Sequence, residues 1–194
     1  AHPVGGGCRP REGRSPETME VLEALSTSPG DPVEVRRLRD GTEIGGWLLK
    51  AAPGVWDLES ALAEGDVPTS WRLAFSYRVG LINDGDPVVL WRTRGWSGPS
   101  GVVAIGQVNE PPDLAAERPG DPDDHRWVSP SERDRPRPRV GVALRVLEVP
   151  VPVERIDAVG ALRSLEVRRV PRIGNPSVIT PGQWAALMAM LEHR

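Results

Sequence analysis

The chain has 194 residues, a hydrophobic content of 39% and a formal net charge of −3 at pH 7. This is enough apolar material for one compact domain with an appendage and too little for two sizeable cores. Because the chain is not basic overall, net charge alone does not indicate a nucleic-acid partner, and any cationic surface has to be local.

The first 45 residues carry weak structural signals. Residues 1–14 combine Gly, Pro and charged residues without apolar periodicity, which is typical of a disordered tail. Over residues 15–45 we expect a helix at 16–27, which starts at the Ser15-Pro16 pair, followed by a hairpin or linker with a turn at Asp40-Gly41. The main domain is predicted to span residues 46–194.

Stronger signals begin at residue 46. GWLLKAAP predicts a strand that ends near Pro53, and Asp57 predicts the N-cap of a short helix. From Trp71 to Leu81 every second residue is apolar or aromatic, which predicts a strand. Its water-facing residues would be Arg72, Ser76 and Arg78.

The second half of the chain predicts more strands and one further helix. A turn at 83–86 leads into the strand PVVLW, and GVVAIGQV at 101–108 follows after a bend. Residues 110–139 are predicted to form a long surface loop with an edge strand near Trp127, followed by a strand at 139–151. The capping-box sequence TPGQ at 180–183 predicts the start of a C-terminal helix. Short strands without βαβ alternation predict an α+β fold with a small curved sheet or barrel.

Signals for catalysis, metal binding and membrane insertion are missing from the sequence. The three histidines are not spaced as metal ligands, and a G-x-S-x-G nucleophile motif fails because Pro99 takes the last glycine position when Ser97 is the nucleophile. Cys8 is the single cysteine, which excludes an intramolecular disulfide and a multi-cysteine zinc site. With no long apolar run and no leader-like start, we expect a cytoplasmic, non-enzymatic protein without cofactor, metal or membrane contact.

Four stretches resemble one family. GGWLLKAAPGVWDLESAL (45–62) is similar to the opening strand, lysine and helix of EVE domains. TSWRLAFSYRVGLINDGDPVVLW (69–91) resembles their central segment, SGPSGVVAIGQV (97–108) their glycine-led strand, and VITPGQWAALMAML (178–191) their last helix. The resemblance implies a PUA-like curved β-barrel with short helices at the rim and a C-terminal helix, related to YTH and ASCH domains. It also implies a helix around 71–81, against the alternation there.

The resemblance implies a reader of a modified nucleobase in DNA or RNA. The base would be methylated or hydroxymethylated cytosine, or methylated adenine, and an aromatic cage would hold it. The protein would act as a monomer or as part of a larger defence or RNA-processing assembly. Two alternatives stay open: a PUA- or ASCH-like domain that reads unmodified RNA, and a small nucleoside-acting enzyme.

Base recognition of this kind needs aromatic walls. Stacking one base on an aromatic side chain contributes about 1–3 kcal/mol, whereas extruding a base from a duplex costs a few kcal/mol, so at least two walls are needed. We expect Trp71 and Trp91 to be these walls. The full set of predicted base-binding residues is Trp47, Lys50, Trp71, Ser76, Tyr77 and Trp91.

Phosphate contacts are predicted for arginines that flank these positions, namely Arg72, Arg78, Arg92 and Arg94. The arginine-rich run at 133–139 either extends that surface or forms a charged edge strand that blocks aggregation. Trp56 and Trp184 are assigned to the core, and Trp96 to a loop that covers the barrel mouth. The bend at 91–98 would then place a stacking wall and arginines at the mouth of one pocket.

Overall fold

The computed structural model describes residues 35–113 and 125–192. The predicted tail at 1–14 and helix at 16–27 lie outside these ranges. Within them, the hairpin turn at Asp40-Gly41 is present: Arg37 pairs with Glu43 in a β-bridge, and Gly41 takes a φ of 86°.

Six strands form one mixed sheet. They are β1 (Gly46–Ala51), β2 (Ser70–Arg72), β3 (Pro87–Arg92), β4 (Gly101–Asp113), β5 (Arg139–Pro152) and β6 (Ser177–Ile179). The order across the sheet is β2-β5-β4-β3-β1-β6, with β1 and β3 parallel and the other neighbours antiparallel. The predicted α+β fold is confirmed, but the sheet is open, with β2 and β6 at its edges, and does not close into a barrel.

Short helices surround the sheet. They are α1 (Leu58–Glu64), a 3-10 helix (Tyr77–Leu81), α2 (Pro130–Arg133), α3 (Val153–Asp157), α4 (Gly160–Arg163), α5 (Glu166–Arg169) and α6 (Pro181–Glu192). In the part of the chain that is described, none of them has the length and apolar character needed to cross a membrane.

Both predicted helix caps are confirmed. The side chain of Asp57 accepts the Ser60 N–H at 3.1 Å, so α1 begins where the sequence placed it. At the start of α6, Gln183 Oε1 accepts the Thr180 N–H at 3.0 Å and Thr180 Oγ1 accepts the Gln183 N–H at 3.3 Å. This is the reciprocal arrangement of a capping box.

The strand predicted from Trp71 to Leu81 is wrong beyond Arg72. After β2 the chain bends, and the Ser76 side chain then accepts the Arg78 N–H at 3.1 Å to begin the 3-10 helix. The alternating aromatics do not share one buried face, because Trp71 is buried whereas Phe75 and Tyr77 are exposed. The helix implied by the family resemblance is thus closer to the structure than the strand.

The segment predicted as a loop at 110–139 is partly regular. β4 continues to Asp113, and α2 forms at Pro130–Arg133. In place of an edge strand, Trp127 forms one isolated antiparallel bridge with Trp56.

One face of the sheet carries the larger hydrophobic cluster, which includes Trp47 and Leu49 of β1 and Leu90 of β3. Since side chains alternate along a strand, Leu48 and Trp91 lie on the opposite face, where α3 contacts β4 and β5.

Candidate functional site

A cavity of about 250 Å³ opens where β1 and β2 end. Residues from four separate parts of the chain line it: Lys50, Ala51, Ala52, Val55, Trp56, Trp71, Arg72, Leu73, Ala74, Trp127, Glu132, Arg137, Arg139 and Asn175.

Three tryptophans form its aromatic walls. Trp71 on β2 is only 8% exposed, and the Trp56 ring packs edge-to-face against it, with ring centroids 6.0 Å apart and an interplanar angle of 67°. Trp127 is held opposite Trp56 by backbone pairing, since the Asp57 N–H donates to the Arg126 carbonyl at 2.9 Å and the Val128 N–H to the Val55 carbonyl at 3.0 Å. Backbone hydrogen bonds therefore fix the positions of the two half-buried rings.

Arg126 links the backbone pairing between Trp56 and Trp127 to the end of α1. Its side chain is 4% exposed and forms ion pairs with Glu64 at 2.8 Å and with Asp66. These two carboxylates raise the pKa of Arg126, so its charge is permanent. The segment that carries Trp127 is thereby tied to the end of α1.

Asn175 and Lys50 supply the polar groups at the end of β1. The Asn175 amide pairs with both backbone groups of Lys50: Oδ1 accepts its N–H at 2.7 Å, and Nδ2 donates to its carbonyl at 3.0 Å. A carboxamide has two donor hydrogens and two acceptor lone pairs, and the pairing with Lys50 uses one of each.

The Lys50 ammonium donates to the carbonyls of Pro171, at 3.0 Å, and Ile173. Burial lowers the pKa of Lys50, and the Glu166 carboxylate opposes this by favouring the charged form. Lys50 therefore anchors the loop that carries Asn175 as well as lining the cavity.

Cationic residues outnumber acidic residues in the described cavity lining. The Arg72 guanidinium lies over the Trp127 ring, 4.7 Å from its centroid, and donates to the carbonyls of Glu132 and Arg135. Arg139 donates to Ser70 Oγ at 2.9 Å. With Lys50 and Arg137, four cationic residues line the cavity, against Glu132 as the one acidic residue among the described residues of the lining.

The structure brings three of the predicted site residues together at this cavity: Lys50, Trp71 and Arg72. Trp56, Trp127 and Asn175 were missed. Trp56 was assigned to the core although the family pattern places an aromatic between the proline loop and the first helix, which was a usable signal. Nothing in the local sequence around Asn175 marks it as a partner of Lys50, 125 residues away.

The other predicted base-binding residues lie outside this cavity. Trp47 is fully buried and donates from Nε1 to Asp86 at 2.8 Å, and Trp91 is 2% exposed on the opposite sheet face. Ser76 caps the 3-10 helix. The ring of Tyr77 lies under Arg39, 4.2 Å from the guanidinium carbon, and outside the cavity lining.

The other three predicted phosphate-binding arginines also lie outside the cavity lining. Arg78 forms a bidentate ion pair with Glu166 at 2.6 and 2.7 Å. Arg92 is buried, donates to the Pro99 carbonyl at 2.9 Å and lies 3.9 Å from Glu59. Arg94 is exposed but does not line the cavity.

The bend at 91–98 packs against α1 and does not line this cavity. Glu59 of α1 accepts hydrogen bonds from Ser97 Oγ at 2.8 Å and from the Gly98 N–H at 3.3 Å. Trp96 packs half-buried against the core cluster. Trp184, which was assigned to the core, is also only half-buried.

An open mixed sheet with short rim helices and a tryptophan-lined cavity defines a small domain of the PUA-like class. Comparison with family models gives the family: residues 46–190 match the EVE domain, and the chain belongs to that family. The resemblance stated from the sequence is confirmed.

Solved structures with the same fold are only distantly related in sequence. A hypothetical protein from Leishmania major matches with 16% identity and a TM-score of 0.54, covering 77% of this chain and 96% of that one. The DUF55 domain of human thymocyte nuclear protein 1 matches with 16% identity and a TM-score of 0.51, covering 77% and 99%. Human THYN1 in complex with 5-methylcytosine-containing DNA matches with 15% identity and a TM-score of 0.49, covering 75% and 96%. No curated protein matches the chain.

Proposed function

We propose that this EVE domain is a non-catalytic reader that binds a modified nucleobase of DNA or RNA in the cavity between Trp56, Trp71 and Trp127. The base is a methylated or hydroxymethylated cytosine, or a methylated adenine. One observation carries the proposal: three indole rings from separate segments line a single cavity together with four cations.

The size of the cavity suits one flat heterocycle. A volume of about 250 Å³ corresponds to about eight water volumes, and a nucleobase has roughly eight to ten non-hydrogen atoms. Two or three aromatic contacts at about 1–3 kcal/mol each offset the few kcal/mol needed to unstack a base. The volume of the cavity is therefore adequate for one extruded base.

The charge of the lining favours a nucleotide over the other ligands that aromatic cages bind. Tryptophan cages with a nearby carboxylate also recognise methylated ammonium groups. Among the described lining residues, four cations (Lys50, Arg72, Arg137 and Arg139) outnumber Glu132, which disfavours a cationic ligand. The same residues attract the phosphates on either side of an extruded base.

Selectivity for a modified base follows from the mixture of apolar and polar groups. A methyl group packed against an indole face gains about 0.8 kcal/mol, which predicts a preference of about fourfold over the unmodified base. In this proposal the second donor hydrogen and the second lone pair of the Asn175 amide pair with the polar edge of the base, and a wrong edge would leave them unpaired.

The test is a titration of the protein with matched oligonucleotides, single-stranded and duplex, that differ by one modified base. Human THYN1 was solved with 5-methylcytosine-containing DNA, which makes this modification the first to use. 5-Hydroxymethylcytosine and N6-methyladenine follow, in DNA and in RNA. Fluorescence anisotropy gives the Kd for each.

Replacing a wall should weaken binding without loss of fold. We expect Trp56→Ala and Trp127→Ala each to raise Kd by about 5- to 150-fold. The control is Trp184→Ala, since Trp184 is half-buried like Trp56 but does not line the cavity. Its Kd should stay within about twofold of wild type.

Two results would contradict the proposal and favour another function. Equal Kd values for every modified and unmodified oligonucleotide would remove modified-base reading and favour a domain that reads unmodified RNA. Turnover of a nucleoside that is lost in Lys50→Met would favour an enzyme.

A further inference from the structure

The single phenylalanine of the chain is on its surface. Phe75 is 64% exposed and follows directly after Ala74, which lines the cavity. An exposed aromatic ring forgoes about 1.5–3 kcal/mol of burial free energy, although one exposed apolar residue alone is common. What distinguishes Phe75 is its place beside the cavity.

The backbone holds this ring outward. On one side of Phe75, the Ala74 N–H donates to the Asn175 carbonyl at 2.8 Å and the Leu73 N–H to the Pro138 carbonyl at 2.8 Å. On the other side, Ser76 caps the 3-10 helix. Position 75 therefore lies between two fixed points, and its exposure is a property of the folded segment.

A cation adjoins the ring as well as the cavity. The Arg137 guanidinium carbon lies 5.7 Å from the Phe75 ring centroid, and Arg137 lines the cavity with Arg72 and Arg139. An aromatic platform next to a cation is the arrangement by which proteins hold single-stranded nucleic acid: the ring stacks on a base, and the cation neutralises the adjacent phosphate.

We infer that Phe75 stacks on the base that neighbours the extruded base, while Arg137 contacts the phosphate between the two nucleotides. This inference rests on the proposed function, and it adds a second nucleotide position to the site. When one base leaves the helical stack, the face of its neighbour is exposed, and Phe75 covers that face in its place.

The experiment places 2-aminopurine, whose fluorescence is quenched by stacking, on either side of the modified base. Wild-type protein should quench it on one side, and Phe75→Ala should abolish that quenching and raise Kd by about 5- to 150-fold. Phe75→Trp should retain both effects, and Phe75→Leu should lose the quenching although it keeps an apolar side chain.

Tyr77→Ala is the matched control. Tyr77 is the only tyrosine of the chain, is 37% exposed and lies two residues further on, but its ring is covered by Arg39 and it does not line the cavity. We expect wild-type quenching and Kd for Tyr77→Ala. Equal losses in Phe75→Ala and Tyr77→Ala would overturn the inference.

The two proposals fail in different ways. Phe75→Ala should raise Kd by the same factor for modified and unmodified oligonucleotides, so the selectivity ratio stays at the wild-type value. A wild-type protein that discriminates the modified base, with Kd and quenching unchanged in Phe75→Ala, overturns only the role of Phe75. A wild-type selectivity ratio of one overturns modified-base reading, whatever Phe75→Ala does.

Discussion

Asp86→Ala is expected to destabilise the domain severely, because four donors converge on this one buried carboxylate. Asp86 is 4% exposed and accepts hydrogen bonds from both terminal nitrogens of Arg36, from Trp47 Nε1 at 2.8 Å and from the Asn83 N–H at 2.9 Å. The substitution leaves the fully buried Trp47 N–H without its acceptor and Arg36 without its counter-charge.

The magnitude follows from these contacts. An unpaired buried N–H costs about 1–3 kcal/mol, and breaking a buried ion pair costs about 3–5 kcal/mol. The Arg36 side chain is 25% exposed, so water compensates part of the second loss, and the sum should be about 3–4 kcal/mol. Asp86→Asn keeps one acceptor oxygen for Trp47 and should cost about half as much.

Urea unfolding monitored by far-UV circular dichroism measures this difference. A loss of 3–4 kcal/mol should also lower the Tm by about 10 °C for a domain of this size. Asp84→Ala is the control, since Asp84 is exposed in the same turn, and it should change stability by no more than about 0.5 kcal/mol. An Asp86→Ala variant within about 1 kcal/mol of wild type would refute the reasoning and with it the assignment of Trp47 as a core residue held by Asp86.

Three further predictions concern charge and packing. Burial raises the pKa of Glu166, but the Arg78 guanidinium and the Val178 N–H lower it further than burial raises it, so the net pKa lies below 4.5. The stability that the Glu166 carboxylate contributes is complete above about pH 4.5 and is lost as pH falls through the pKa of Glu166 in the folded state. Urea unfolding midpoints measured between about pH 3 and pH 7 should show this loss in wild type and not in Glu166→Gln. Gly98→Ala should destabilise the domain by about 1 kcal/mol, because the new Cβ would lie 2.5–2.7 Å from the buried Arg92 guanidinium, which has to shift. A double-mutant cycle should show this cost vanish in an Arg92→Ala background. Arg137→Gln should lower the magnitude of the slope of log K against log salt for duplex DNA by about 0.9. Arg94→Gln removes the same charge away from the cavity and should leave the slope unchanged. Equal slopes for the two variants would contradict the assigned surface.

Local chemistry made much of the fold predictable. The Asp57 cap, the TPGQ capping box and the apolar strands at 87–91 and 101–108 depend on interactions within a few residues, and all are present. The segment 71–81 failed because alternation predicts a strand only when one face is buried throughout. Here burial ends at Leu73 and resumes at Val79, with Phe75 and Tyr77 exposed between them.

The candidate site was predictable only in part, because it is assembled by long-range pairing. Trp71 and Lys50 were identified from the family pattern. Trp127, in contrast, is positioned by its β-bridge to Trp56, and Asn175 is positioned by hydrogen bonds between its amide and the backbone of Lys50. Neither pairing leaves a local signal. The sequence alone therefore favoured the bend at 91–98, where aromatic and cationic residues are adjacent in the chain.

The described cations differ in the kind of partner that they contact. Arg78 and Arg92 flank aromatic residues as a nucleic-acid surface would require, yet carboxylates of Glu166 and Glu59 compensate them. Lys50 instead meets carbonyl oxygens, and Arg137 faces an aromatic ring. Carbonyls and rings orient a cation without cancelling its charge, although the Glu166 carboxylate also acts on Lys50. A chain with a net charge of −3 can in this way present a local surface that attracts phosphate.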